Sequence, residues 1–244
     1  MLNYAFPKVR VVALGLRAAW AADLSAHGIE HFSIPLYIAA SVSFAAGFFI
    51  VLAQLLLLLQ AWYSSVGKTD VPMPLLGSES EWRVAGLLRI LSVGVTVFSI
   101  LGVIGGVQYG EASAGSQQQQ QLDNADVLRS ASAWGFVAVD AVILACTLFF
   151  TANAHMSGKL AVVAPLLKTV LPAAAVLLIR VVYSAVMVDL ALNDPQNPIA
   201  SDQGFYPLSI LPEIVAVAIL CAPSAVHNIV YGQGGKEEQG QAMA

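Results

Sequence analysis

Three ionisable residues inside apolar segments are the positions at which this chain could do chemistry. Arg180 lies near the middle of residues 169–192, TVLPAAAVLLIRVVYSAVMVDLAL, and Asp140 and Glu213 each lie in another apolar segment. A charge at the centre of a bilayer costs roughly 3 to more than 10 kcal/mol, so a neighbouring helix must offer the arginine an acid or carbonyls. The sequence therefore predicts a polar site in the interior of a membrane protein, with Asp140 and Glu213 as the candidate partners.

The first chemistry that such a site could perform is ligand binding. Along their helices the three charges lie within roughly 6 Å of one another in depth. Tyr183 and Ser184 follow Arg180 at helical spacing and share its face. We expect Arg180, Glu213, Asp140 and Tyr183 to hold the polar end of a lipophilic small molecule.

The second chemistry that the site could perform is proton donation. A third interpretation, a purely structural role, needs no ligand. A buried acid, Asp140 or Glu213, could protonate an alkene or epoxide of a prenylated substrate, as in a membrane terpene cyclase. Aromatic faces such as those of Trp134, Phe136 and Tyr183 would then shield the carbocation. In the structural interpretation, Arg180 and Glu213 form a buried clamp between two helices, bind no ligand and only set the register of the helices.

Other catalytic motifs are weak. His27 and His31 match an H-x-x-E-H zinc-peptidase pattern, but Gly28 disfavours the helix that the pattern requires, and we interpret this stretch as a loop at the membrane boundary. The sequence has no Asp-rich diphosphate motif, phosphate-binding glycine loop or Ser-His-Asp arrangement. We predict no metal and no cofactor, and an enzyme is the less favoured interpretation.

Composition places the chain in the membrane. Of the 244 residues, 58% are hydrophobic and only 11% are charged, about half of the charge that a soluble domain needs to cover its surface. The formal net charge of −4, without a cluster of Lys and Arg, excludes a nucleic-acid partner. Both cysteines, Cys146 and Cys221, lie in apolar segments and are expected to pack as small hydrophobes. The expected partners are the lipid bilayer and a hydrophobic small molecule.

The hydrophobic segments predict an all-α polytopic transmembrane bundle in one domain, residues 1–231, followed by a polar tail, 232–244. Residues 11–22 are predicted to be a partial span or an interfacial helix, and 64–82 and the Gln-rich 111–129 are expected to be loops. The spacing of Gly102, Gly106 and Gly110 predicts one bare helix face for close packing. Five secure crossings are predicted, at residues 34–63, 84–107, 131–152, 169–192 and 205–231.

The positive charges predict the orientation. Lys and Arg residues collect on one side of the predicted crossings, whereas the other side has Arg129 and an acidic last loop, plus Lys8, Arg10 and Arg17 if the N-terminal segment does not cross. This difference indicates a cytoplasmic C-terminus in the endoplasmic reticulum or plasma membrane. The residues on the basic side are Lys68, Arg83, Lys159, Lys168 and Lys236.

Four blocks of sequence resemble a known family. They are LYIAASVSFAAG (36–47), LLRILSVGVTVFSILGVIGG (87–106), IRVVYS (179–184) and LPEIVAVAIL (211–220). Together they are similar to a fungal family of seven-pass integral membrane proteins of largely unassigned function, over about residues 9–231. The resemblance implies a heptahelical bundle that here lacks its first span, and it carries over no catalytic residue. Fungal membrane proteins of this size handle lipids or secondary metabolites, which by analogy gives the expected class of ligand.

Overall fold

The fold is described by a computed structural model at residues 34–66, 78–112, 119–156, 160–193 and 206–221, with positions 15, 16, 19 and 22 besides. These ranges are helical throughout and contain no strand. The predicted all-α class is therefore confirmed for this part of the chain. The partial N-terminal helix as a whole, His27, His31 and the polar tail lie outside it.

Five helical rods follow one another along the chain. Helices α1 to α3 are single α-helices, whereas α4 (160–193) and α5 (206–221) each contain a π-helical turn. Their bounds are Ile34–Val66 for α1, Ser78–Ala112 for α2, Gln119–Met156 for α3, Leu160–Pro165, Leu166–Val170 and Leu171–Asn193 for α4, and Tyr206–Ile210 and Leu211–Cys221 for α5.

Three of these rods are long and apolar enough to cross a membrane: Val84–Tyr109 in α2, Gln120–Met156 in α3 and Leu160–Val188 in α4. Phe49–Ser64 in α1 and Pro207–Cys221 in α5 are shorter apolar helices. At about 1.5 Å per residue, 20 residues match a hydrocarbon layer of about 30 Å. The membrane class is thus supported, and the number of crossings stays a prediction.

The Gln-rich segment is partly helical, which corrects the prediction of a loop over 111–129. Helix α2 continues to Ala112 and α3 begins at Gln119. Contacts between α2 and α3 stabilise the helical conformation of these polar residues. Ala125 is fully buried, and the Arg129 guanidinium lies over the Tyr109 ring, 4.4 Å from its centroid.

Successive helices pack against one another, α1 on α2, α2 on α3, α3 on α4 and α4 on α5. Buried side chains from all five helices form the hydrophobic core. The Trp62 side chain is buried and donates a hydrogen bond from Nε1 to the carbonyl oxygen of Val162, 3.0 Å away. Gln60 donates from Nε2 to Ser92 Oγ at 3.1 Å and so joins α1 to α2. These bonds satisfy polar groups that lipid could not satisfy.

Glycines let α2 and α3 approach closely, although not in the predicted pattern. A Cβ atom on Gly102 would lie 2.6 Å from Ser132 Oγ, and one on Gly105 would lie 3.0 Å from the Ala125 carbonyl oxygen. Gly106, by contrast, has nothing within 4 Å. The close face therefore uses Gly102 and Gly105, because a spacing of three rather than four places both glycines toward α3.

A π-helical turn precedes a Leu-Pro pair in both α4 and α5. In α4, the Leu171 N–H donates to the Leu166 carbonyl oxygen, five residues back, immediately before Pro172. In α5, the turn Tyr206–Ile210 precedes Leu211 and Pro212. Proline cannot donate a backbone hydrogen bond, and its ring collides with the carbonyl four residues earlier, so the wider turn relieves that conflict. The predicted crossing begins at residue 169, but α4 begins at Leu160 and runs through Pro165 and Lys168.

Candidate interior polar site

The site is built around an ion pair that joins α4 to α5. Arg180 Nε lies 3.4 Å from Glu213 Oε2, and the side chains are only 9% and 5% exposed. The guanidinium also donates from NH1 to Ser184 Oγ, one turn later on α4. Of the two predicted partners for Arg180, the structure pairs it with Glu213.

The local sequence explains why these two side chains meet. The π-turn and Pro172 lie near the beginning of α4, two turns before Arg180, while the π-turn of α5 ends three residues before Glu213. Glu213 is in the first turn of the α-helical segment of α5. A carboxylate is favoured there because the helix dipole is positive at its N-terminus.

Tyr183 lies close enough to Arg180 to interact with it electrostatically. It is 8% exposed and occupies the next turn of α4 after Arg180. Ser209 is a buried polar residue that the sequence analysis did not single out. It lies in the π-turn about one turn before Glu213, and its position between Pro207 and Pro212 was the signal that could have drawn attention to it.

Asp140 is the second feature of the site. It lies on α3, which packs against α4, and its side chain is fully buried. Neither carboxylate oxygen has a hydrogen-bond partner among the described residues. Asp140 therefore does not share the guanidinium of Arg180, and the three predicted charges form a pair and a separate acid.

A buried carboxyl without a partner is costly in either protonation state. Ionised, it loses hydration without a compensating cation, and neutral, it leaves polar atoms unsatisfied at a cost of about 1–3 kcal/mol. Thr147, two turns later on the same helix, shows the usual solution, since its buried hydroxyl donates to the Ile143 carbonyl oxygen at 2.8 Å. Asp140 has no such backbone hydrogen bond among the described residues.

The aromatic residues proposed to shield a carbocation divide into two groups. Trp134 is 46% exposed and lies on the outer surface of α3, so it is wrong as a lining residue. Phe136 and Tyr183 are both buried, and Phe136 packs edge to face with Phe98, with ring centroids 6.2 Å apart. Only Phe136 shares the buried face of Asp140, one turn earlier.

Within the described ranges, no group of three or more His, Cys, Asp and Glu side chains is arranged to hold a metal ion. Cys146 and Cys221 are both free thiols. What the site offers chemically is thus an arginine-glutamate pair, a tyrosine and an isolated carboxyl.

No family model, curated protein or solved structure matches this chain.

Proposed function

We propose that this chain is an integral multi-pass membrane protein that binds or moves a lipophilic small molecule. Arg180, Glu213, Asp140 and Tyr183 hold the polar end of that molecule. The observation that carries the proposal is Asp140, whose two buried oxygens accept no hydrogen bond from the described residues. A ligand that donates to this carboxyl offsets the cost of burying it.

The ion pair and the acid have different roles in this proposal. Arg180 and Glu213 fix α4 against α5 and keep polar surface in the interior, whereas Asp140 supplies an acceptor from α3. A ligand between them contacts three helices at once. Movement of the ligand then requires these helices to shift, and the two π-turns lie in the helices that carry the pair.

The membrane arrangement belongs to the same proposal. It has five crossings and a partial N-terminal helix, in the endoplasmic reticulum or the plasma membrane, with the C-terminus in the cytoplasm. Three long apolar helices support it. The likeness to a fungal seven-pass family, and with it a role in secondary metabolism or lipid handling, stays a prediction.

Asp140 also favours a second candidate, a proton-initiated membrane terpene cyclase. A carboxyl without a nearby cation is held in its neutral form and can donate its proton to an alkene or epoxide. Glu213 is the weaker candidate acid because Arg180 stabilises its ionised form. Phe136 and Tyr183 are the buried rings that remain to face a carbocation.

A purely structural subunit is the third candidate, and Asp140 counts against it. The ion pair between α4 and α5 is sufficient to set their register. An unpartnered acid on α3 adds nothing to such a clamp and lowers stability. Retaining full function in a folded Arg180→Met/Glu213→Leu variant would support the structural candidate.

Co-purification tests the binding proposal. Wild type, Asp140→Leu and Asp123→Asn, an exposed acid on the same helix, are purified in mild detergent and their small molecules identified by mass spectrometry. We expect a lipophilic molecule with wild type and Asp123→Asn that is missing from Asp140→Leu. The same molecules in equal amounts with all three proteins would contradict the proposal.

Product analysis separates the cyclase from the binding protein. A host that expresses the chain is fed prenylated substrates, and wild type is compared with Asp140→Asn and Glu213→Gln. A new cyclic product that disappears with Asp140→Asn supports the cyclase. If deletion of the gene instead changes where a metabolite accumulates and leaves its structure unaltered, the protein binds or moves that metabolite.

A further inference from the structure

The buried charges in the described part of the chain do not balance. Asp140 and Glu213 are buried acids, and Arg180 is the buried base. Arg180 and Glu213 compensate each other across 3.4 Å, so an ionised Asp140 leaves one excess negative charge in the interior. An uncompensated carboxylate in a low-dielectric interior is strongly unfavourable. Asp140 therefore needs either a proton or a positive charge from outside this set.

The helices around Asp140 do not supply that charge from the side chains that the structure describes. Helix α3 packs against α2 and α4, and it meets α1 where Trp62 contacts Phe150. The side chains that the structure describes on α1 include no Asp, Glu, Lys, Arg or His. Arg180 on α4 is engaged by Glu213 and Ser184, and the phenol of Tyr183 cannot supply a positive charge. Four of the other titratable side chains described on α2, α3 and α4 are exposed: Arg89, Asp123, His155 and Lys168. Arg129 pairs with Asp126 and lies over the Tyr109 ring near the end of the α2–α3 hairpin. The remaining one, Cys146, is a thiol and cannot supply a positive charge.

We propose that Asp140 binds a lipophilic organic cation, such as a hydrophobic ammonium, in exchange for a proton. The inference rests on the proposed function and names the ligand class and the exchange. When the cation leaves, a proton from water forms an O–H bond on the carboxylate. When the cation returns, that proton is released to water. The interior is neutral in both states, and no bond in the ligand changes.

The surroundings of Asp140 suit a cation with apolar substituents. Phe136 is buried one turn before Asp140 on the same helix face, and aromatic rings attract organic cations through their negative faces. Ile143, one turn after Asp140 on the same face, is also fully buried. The carboxylate thus provides the charge and the flanking side chains provide apolar contact.

Two probes of nearly the same size and shape and of opposite charge test the proposal: tetraphenylphosphonium and tetraphenylborate. Their binding to the full chain in detergent is measured by equilibrium dialysis, with Asp140→Leu protein as the background for partitioning into micelles. Proton release is followed in weakly buffered solution. Asp140→Asn is the test variant and Asp123→Asn the matched control.

We expect wild type and Asp123→Asn to bind the phosphonium and to release up to one proton per cation. Because proton and cation compete, the affinity falls as the pH is lowered, by up to about tenfold per pH unit. Asp140→Asn is expected to bind the cation at least tenfold more weakly and without the pH dependence. Binding of tetraphenylborate should release no proton from Asp140, and its affinity should not fall as the pH is lowered.

Equal binding of both probes, or cation binding without proton release, overturns the cation exchange. The proton measurement uses wild type alone, so it decides even if Asp140→Asn fails to fold. If the exchange fails while a neutral or anionic molecule still co-purifies in an Asp140-dependent way, the proposed binding function stands. If neither probe nor any co-purified molecule depends on Asp140, both proposals fail.

Discussion

At the scale of single residues, the protein handles its buried charges in two ways. Arg180 and Glu213 remove each other's cost by pairing across α4 and α5. Asp140 is equally buried but accepts no hydrogen bond from the described residues. Buried pairs contribute little net stability, whereas an isolated buried acid lowers it, so the two features respond to mutation in opposite directions.

Breaking the ion pair from one side is expected to be severe. Arg180→Met leaves Glu213 buried beside an apolar side chain and should lower the free energy of unfolding by about 3–5 kcal/mol. Arg180→Met/Glu213→Leu removes both charges and should recover most of that loss. A double-mutant cycle in detergent-solubilised protein measures the coupling, and equal instability of single and double variants would exclude the pair as its source.

Removing the isolated acid is expected to stabilise the protein. Asp140→Leu keeps the branching of the side chain and removes the unsatisfied oxygens, so the free energy of unfolding should rise by about 1–3 kcal/mol while ligand binding is lost. Thr147→Val is the matched control, since the Thr147 hydroxyl is buried but already bonded. Thermal unfolding without added ligand checks this, and a gain as large for Thr147→Val would show that the effect is not specific to Asp140.

At the scale of helices, glycine decides how closely α2 and α3 pack. Ser132 Oγ donates to the Phe98 carbonyl oxygen on the neighbouring helix at 2.6 Å, a bond that brings the two backbones together. The Phe98 ring lies directly against Gly135. The same hairpin extends to Tyr109 and Arg129, which is why the Gln-rich segment becomes helical at Gln119.

Alanine at Gly135 is expected to separate these helices. Its Cβ would lie 2.3 Å from the Phe98 ring, so Gly135→Ala should lower stability by about 1–3 kcal/mol despite its better helix propensity. Gly106→Ala, which meets no atom within 4 Å, should be neutral or stabilise by up to about 1 kcal/mol. Phe98→Leu in the Gly135→Ala background should restore part of the loss. Thermal unfolding of the four proteins tests this, and equal effects at Gly135 and Gly106 would rule out the close contact.

At the scale of the whole molecule, apolar side chains lie both inside and outside the bundle. The outer surface of α2 exposes large hydrophobic side chains that water would not tolerate as a continuous stripe, and lipid provides their natural environment. They are Ile90, Val93, Val97, Ile100 and Ile104. Helices α1 to α3, of 33 to 38 residues, measure roughly 50–57 Å and so extend beyond a hydrocarbon layer of about 30 Å.

The positive charges predict the orientation of the protein in the membrane. We expect the protein to stay in the membrane pellet after alkaline carbonate and to be released by detergent. A reporter fused after residue 244 should face the cytoplasm, because the basic side of the predicted crossings carries Lys159 and Lys236. Protease protection in sealed vesicles measures this, and a lumenal or extracellular reporter would reverse the predicted topology.

The sequence by itself determined the class of the fold and the residues that are proposed for the site. Low charge and long apolar runs require helices in lipid, because only internal hydrogen bonding satisfies a backbone there. The choice of the proposed site residues followed from the cost of placing charged or polar groups in such runs. These residues are Arg180, Glu213, Asp140 and Tyr183. These arguments use local composition and spacing, which are visible in one dimension.

Only the tertiary structure decided which of these residues meet. Helix rotation and close approach depend on contacts between distant segments. The sequence therefore offered both Asp140 and Glu213 as partners of Arg180, and the packing pairs it with Glu213. The same contacts made Gly105 rather than Gly106 the close glycine and placed Trp134 outside the bundle. A periodic sequence pattern shows which residues share one face of a helix. The helix that this face contacts is decided by the packing of the neighbouring helices.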